Sequence, residues 1–164
     1  MNIEFIKALQ EIYNLLDQIE LKKMERDYPI IWERIHSTSC AQIGRMLAQK
    51  RDVDSEQAAL ACALHDCGRW VTGRQENHAP QGEELARRFL REGNLSSVTQ
   101  ESIVQAIINH SKKEDIGSPL EELVKDADIL DCYWYGDDIS KKYHVARLQR
   151  TLCELNIGSS SKEG

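Results

Sequence analysis

The residues of this 164-residue chain best equipped for chemistry are four of its five histidines and two aspartates: His36, His65, Asp66, His78, His110 and Asp128. Most informative is the pair His65 and Asp66. It ends the run Ala58–Leu64, which is small or apolar on every side of a helix and therefore reads as buried all round. An uncompensated carboxylate at such a place is costly, and an imidazole beside it makes a divalent metal the leading partner. The plainer alternative is a helix that ends on a hydrogen-bonded histidine and a polar cap, with Gly68 as its stop signal. A lone histidine on an apolar face is more often a core residue than a ligand. Four of them, joined to a buried aspartate, favour a metal site.

Helices must position these residues. Apolar residues at Ile3, Ile6, Leu9, Ile12, Leu16 and Ile19 predict an amphipathic first helix with Asn2 as its cap. Pro29, behind Asp27, opens a second, with Ile31, Trp32, Ile35, Ile43, Met46 and Leu47 apolar and His36 on the flank of that stripe. Asp54 or Ser55 caps the third, which ends in His65 and Asp66. The stretch from Gly68 to Pro80 reads as a loop able to cover a site. Pro80 then opens a fourth helix with Leu85, Ala86, Phe89 and Leu90 on one face, ended by Gly93 and Asn94. Ser97 or Thr99 begins a fifth, in which Ile103, Ile107 and His110 share a face. A sixth begins at Ser118, with Leu120, Leu123, Val124, Ala127 and Leu130 apolar. On its wheel Asp126 falls away from the apolar face, Asp128 lies on the flank and Asp131 lies nearer the centre, so periodicity does not choose between the last two. One more helix fits 140–157, and 158–164 reads as a disordered polar end. The expectation is an all-α, compact, single-domain bundle of about six to seven helices over residues 1–157, with a metal-site core at 34–131.

Hydrophobic content of 41% with 29% charged residues is ordinary globular usage, and no stretch approaches the roughly 18 apolar residues of a membrane span. The amino terminus does not read as a signal peptide, and a cytoplasmic protein is expected. Five cysteines with no C-x-x-C pair argue against a disulfide framework and a zinc ribbon, and suit buried small hydrophobes. A net charge of -6 gives no footprint for long nucleic acid, so the expected partner is a small phosphorylated molecule. Composition does not fix the oligomeric state.

The order His36, His65–Asp66, His110, Asp128 resembles the HD superfamily of metal-dependent phosphohydrolases, over about Arg34 to Leu130. The resemblance implies an all-helical bundle in which H…HD…D ligands hold one metal, and His78 and His110 match the two extra histidines of members that hold a pair. It selects Asp128 as the ligand and leaves Asp131 as a supporting or core-polar residue. His78-Ala-Pro-Gln-Gly82 and Ser118-Pro-Leu-Glu121, ahead of Ala127 and Asp128, are similar to the di-iron HD-type hydrolases of symmetrical dinucleoside tetraphosphates. The chain departs from those enzymes in having Arg69, followed by Trp70, where they usually have a lysine. Asp126-Ala-Asp128-Ile-Leu-Asp131 is also similar to HD phosphohydrolases of unassigned substrate.

On that resemblance Asp66 bridges two ions, His36, His65 and Asp128 complete one, and His78 and His110 the other. One or two divalent ions, iron or manganese first, would generate a nucleophilic bridging hydroxide at neutral pH and clamp phosphoryl oxygens. Catalysis falls to Asp66, with Arg69 and Lys112 as the leading cations to offset charge on phosphorus. Arg74 and Lys113 are further candidates, and at least two of these four are expected to be merely solvated. Trp70 could stack on a base, although packing on the core is the commoner use of an aromatic. Two other function classes share the pattern: mixed-valent di-iron HD oxygenases, which cleave a carbon bond with dioxygen, and a non-catalytic nucleotide-binding HD protein.

Overall fold

A computed structural model describes residues 3–93 and 95–157. The expected cap at Asn2, the stop at Asn94 and the polar end 158–164 lie outside the described residues. Nine helical segments follow in order among those described: α1 (Ile3–Leu21), α2 (Ile30–Arg51), α3 (Ser55–Leu64), α4 (Cys67–Thr72), α5 (His78–Gln81), α6 (Glu83–Arg91), α7 (Ser97–Asn109), α8 (Pro119–Trp134) and α9 (Lys142–Glu154). Seven exceed two turns, no strand occurs among the described residues, and the fold is all-α as expected. None of these helices is long and apolar enough to cross a membrane.

Helix α3 is the axis. Ala58, Ala59, Ala61, Cys62, Ala63 and Leu64 are all fully buried, because α1, α2, α7 and α8 pack around it. Small side chains permit that close approach and leave no apolar bulk between the end of α3 and its neighbours. The Asp54 carboxylate accepts the amide N–H groups of Glu56 and Gln57 at 3.0 and 2.7 Å, which fixes where the helix begins. Ser118 and Glu121 form a reciprocal capping box at the start of α8, with Pro119 as its first residue.

Several expectations need correction. Residues 68–80 do not form one loop. They contain α4 and most of α5, packed so tightly that a Cβ on Gly68 would stand 1.9 Å from the His78 carbonyl oxygen and one on Gly82 2.8 Å from Cys67 Sγ. Pro80 lies inside α5 rather than opening the next helix, and Pro29 occupies the cap of α2 instead of its first turn. Helix α7 does begin at Ser97, one of its two expected starts, with Ser96 as its cap. The buried face of α2 is only partly the predicted stripe: Ile43 and Leu47 are buried as expected, but Ile31, Ile35 and Met46 are exposed while Glu33, His36 and Ser37 face inward. Asp126 is buried rather than turned to water, because α9 covers it with Arg147. Cys40, Cys62 and Cys67 are the expected buried thiols, but Cys153 is exposed and Cys132 half-buried.

Candidate metal centre

Four histidines and two aspartates from five helical segments and their ends converge at the carboxyl end of α3. His36 comes from the second turn of α2, His65 from the residue after α3, His78 from the first turn of α5, His110 from the residue after α7, and Asp128 from α8. Asp66 joins α3 to α4 in the bridge conformation (φ -93°, ψ 12°) common among active-site residues. Asn77, in the left-handed region at φ 54°, turns the chain into α5 and brings His78 inward.

Each histidine has one ring nitrogen tied outward. Nδ1 of His65 donates to the Cys62 carbonyl (2.7 Å), Nδ1 of His78 to that of Gln75 (2.6 Å) and Nδ1 of His110 to that of Ile107 (2.7 Å). His36 Nδ1 donates to the Asp131 carboxylate at 2.6 Å. A carbonyl oxygen can only accept, so Nδ1 carries the proton and a neutral ring presents the bare Nε2 lone pair. All four Nε2 atoms face Asp66, and its two oxygens sort them into sets. Oδ2 lies 3.3 Å from His36 Nε2 and 3.2 Å from His65 Nε2. Asp128 Oδ1 completes that set at 3.3 and 3.6 Å from the same two nitrogens. Oδ1 of Asp66 lies 2.9 Å from His78 Nε2 and 3.4 Å from His110 Nε2, which are 3.0 Å from each other.

These spacings fit metal ions. Ligands about 2.1 Å from a common ion stand roughly 3.0 Å apart at right angles and about 3.4 Å apart at the tetrahedral angle. Nitrogen lone pairs directed at one another at 3.0 and 3.2 Å repel unless a cation or proton lies between them. The donor set of imidazoles and carboxylates suits first-row divalent ions. Cys40 and Cys132 also stand close to His36 and Asp128, and burial pushes the Cys40 thiol up to about 12 and Cys132 further up in the absence of metal.

The surroundings hold the carboxylates ionised. Burial opposes the charge on Asp66, yet the Arg69 guanidinium and the His65 imidazole keep its carboxyl well below the usual range. Burial likewise opposes Asp128, and Lys113, His36 and His65 overcome it. Burial drives His110 down to about 4, which keeps it neutral. For His65 burial is outweighed by Asp66 and Asp128, and its imidazole rises to about 9 in the absence of metal.

The predicted cations separate into two pairs. Arg69 is buried and saturated: Nε and Nη2 meet the Glu33 carboxylate, Nη2 also meets Asp66 Oδ2 at 2.5 Å, and Nη1 meets Gln75. It is a brace for Asp66 rather than a free cation. Lys113 is buried with Nζ 2.5 Å from Asp128 Oδ2 and lines the cavity over the centre. Arg74 pairs with Glu25 and Asp27 at the surface. Lys112 is exposed, bonded to Asn109, and is not brought to the cavity. Trp70 is fully buried, so it is a core residue and unavailable to a base.

Sequence reasoning missed other members of the site. Glu33 gave no signal because a glutamate on a helix normally reads as solvated, and its burial follows only from the position of Arg69. Asp131, placed near the centre of the apolar face by its periodicity, orients His36. A cavity of about 560 Å³ opens over the cluster, walled by Tyr28 and Trp32 on one side and by Asp137, Asp138, Lys141 and His144 on another. Trp32 stacks on His36 with ring centres 5.1 Å apart.

Comparison with known proteins finds relatives of this chain. Over 97 residues, 58% of this chain, it is 33% identical to ribonuclease Y of Cutibacterium acnes, covering 16% of that protein. It is 32% identical over 95 residues to ribonuclease Y of Chlorobaculum tepidum, covering 17% of it. YueE of Bacillus subtilis, named provisionally as a phosphohydrolase, is 30% identical over 112 aligned positions that cover 58% of this chain and 64% of YueE. The chain thus spans about a sixth of the ribonuclease Y relatives and under two thirds of YueE. No solved structure matches it. Residues 34–133, which carry His36, His65, Asp66, His78, His110 and Asp128, match the HD domain, and the chain belongs to that family.

Proposed function

We propose that this protein is a metal-dependent phosphohydrolase acting on a small nucleotide. His36, His65, Asp66 and Asp128 would hold one divalent ion, iron or manganese first, and His78 and His110 with the second oxygen of Asp66 another. The observation that carries the reading is the convergence of four Nε2 lone pairs on the two oxygens of Asp66, with every Nδ1 tied outward. Divalent ions held there supply Lewis-acid polarisation of a phosphoryl oxygen and a water acidic enough to be a nucleophile near neutral pH.

The chain's own side chains hold this arrangement in place. Glu33 and Arg69 fix the rotamer of Asp66, Asp131 fixes the plane of His36, and Lys113 occupies Oδ2 of Asp128 so that Oδ1 faces the histidines. Such outer contacts raise ligand basicity and hold the geometry. Membership of the HD family and the name of YueE support hydrolysis of a phosphoester.

For the substrate, the sequences His78–Gly82 and Ser118–Glu121 put a dinucleoside tetraphosphate first on the panel. Both stretches also have local tasks, since Gly82 permits the tight contact of α4 with α5 and Ser118 and Glu121 cap α8. The assay therefore compares a dinucleoside tetraphosphate, a nucleoside monophosphate, a cyclic nucleotide and, because of the ribonuclease Y relatives, a short oligoribonucleotide, with manganese or ferrous iron supplied. Hydrolysis of one of the nucleotides supports the proposal and names the substrate. Hydrolysis of the oligoribonucleotide alone would replace the small substrate with RNA. Inertness toward all four, with oxygen consumed by the iron-loaded protein, would replace hydrolysis with the oxygenase reading.

A further inference from the structure

Four of the five histidines belong to the cluster around Asp66, and the fifth, His144, has a different environment. It lies in the first turn of α9, half-buried, and lines the same cavity as His36, Asp66, His78, His110 and Asp128. Neither of its ring nitrogens makes a hydrogen bond among the described residues, whereas all the others are tied by Nδ1. Lys141, three residues earlier and exposed on the same wall, likewise forms no ion pair or side-chain hydrogen bond among the described residues. Both lie beyond the 34–133 segment that matches the HD domain.

The wall is held firmly. Arg147, one turn after His144, is buried and donates from Nε to the Lys113 carbonyl (2.7 Å), from Nη2 to the Asp115 carbonyl (3.2 Å), and from Nη1 to Asp126 and Glu122 (2.9 Å each). Arg51 adds ion pairs to Asp126 and Glu154. The start of α9 is therefore fixed beside Lys113 and over the cavity. His144 lies near enough to Lys113, Lys141 and Asp128 for their charges to act on it. Lys113 is already engaged by Asp128, which leaves Lys141 as the lysine of the cavity lining without an ion pair among the described residues, with His144 beside it on α9.

We propose that His144 and Lys141 form a phosphate-recognition subsite, in which the imidazole and the ammonium donate to oxygens of a phosphoryl group of the substrate held against the metal centre. The proposal rests on the hydrolase reading for its substrate class and adds the residues that select it. Asp137 and Asp138, exposed on the same wall, are acceptors suited to hydroxyl groups, so the wall as a whole fits a phosphate carried on a hydroxylated molecule such as a nucleotide.

The test uses the metal-loaded full chain and inorganic phosphate as the probe, with titration calorimetry on the wild type, His144→Ala, His144→Gln and Lys141→Ala. Metal content should be equal in all four, because neither residue is a ligand. Phosphate affinity should fall about tenfold or more in His144→Ala and Lys141→Ala, and His144→Gln should recover part of it through its amide N–H. With a hydrolysed substrate the same variants should raise KM. Unchanged phosphate affinity in both alanine variants, or no phosphate binding by the metal-loaded wild type, overturns the subsite. A wild type that binds phosphate through these residues yet hydrolyses no phosphoester overturns the hydrolase reading and leaves the subsite standing.

Discussion

Two regions of this molecule bury charge, and they neutralise it differently. In the clasp between α8 and α9, the carboxylates of Glu122, Asp126 and Glu154 meet Arg51, Lys125, Arg147 and Arg150, and the cluster closes on itself. Around α3, the carboxylates of Glu33, Asp66, Asp128 and Asp131 meet, among the described residues, the cations Arg26, Arg69 and Lys113 and the imidazoles whose Nε2 atoms face inward. The first region is complete without help and secures an element. The second lacks positive charge that protons or divalent ions must supply. Under-neutralised charge in a buried, well-braced pocket is what distinguishes a cation receptor from a structural ion-pair network.

The largest effect should come from breaking the centre at its shared residue. Asp66→Ala removes the carboxylate that faces all four Nε2 atoms, so bound metal measured by elemental analysis should fall to background and hydrolysis should vanish, with the helical circular dichroism kept. Full metal content in that variant would refute the assignment. Breaking the clasp should do the opposite. Asp126→Asn strips the charge that pairs with buried Arg147, and chemical denaturation should register a loss of about 3–5 kcal/mol while the metal-to-protein ratio is unchanged. A loss under about 1 kcal/mol would mean that α9 is held by other contacts.

A smaller change sharpens the comparison from inside the centre. Asp131→Asn keeps an acceptor for His36 Nδ1 but removes its charge, so metal affinity should drop about 10- to 100-fold with stoichiometry restored at saturation. The smallest effect is with pH. Without metal, Asp66 and Asp128 raise the His65 imidazole to about 9, so at pH 7 it holds a proton on Nε2 that an incoming ion must displace. Apparent metal affinity should therefore climb as pH rises from 7 toward 9, with at least one proton released per binding event. Affinity that is flat across this window would show that His65 is already neutral.

Much of the centre was legible because its residues contradict their surroundings. An all-apolar helix ending in His65 and Asp66, and His110 on the buried face of α7, are anomalies that a chain-level pattern exposes. Asp128 could not be separated from Asp131 by periodicity, since one faces the cavity and the other braces His36 and both positions are inward. The face of α2 was misread for the same physical reason. Its first two turns bury Glu33 and His36 at the site and leave Ile31 and Ile35 outside, whereas Ile43 and Leu47 farther along are buried as their spacing predicts. Arg69 and Lys112 were chosen by proximity in sequence to ligands. Only the fold shows that Arg69 is consumed by Glu33 and Asp66 and that Lys113, one residue on, is the lysine turned inward. His144 escaped notice because α9 carries no motif, and its place over the cavity depends on the Arg147 clasp.

The central claim is that the lone pairs around Asp66 are a receptor for two divalent ions. The most direct test is elemental analysis of protein purified without chelator and reconstituted with manganese or ferrous iron, comparing the wild type with the double variant His78→Ala, His110→Ala. The account predicts about two ions per wild-type chain and about one in the double variant, since the set made by His36, His65, Asp66 and Asp128 remains intact. A wild type that holds one ion or none, or a double variant with the wild-type ratio, would contradict it.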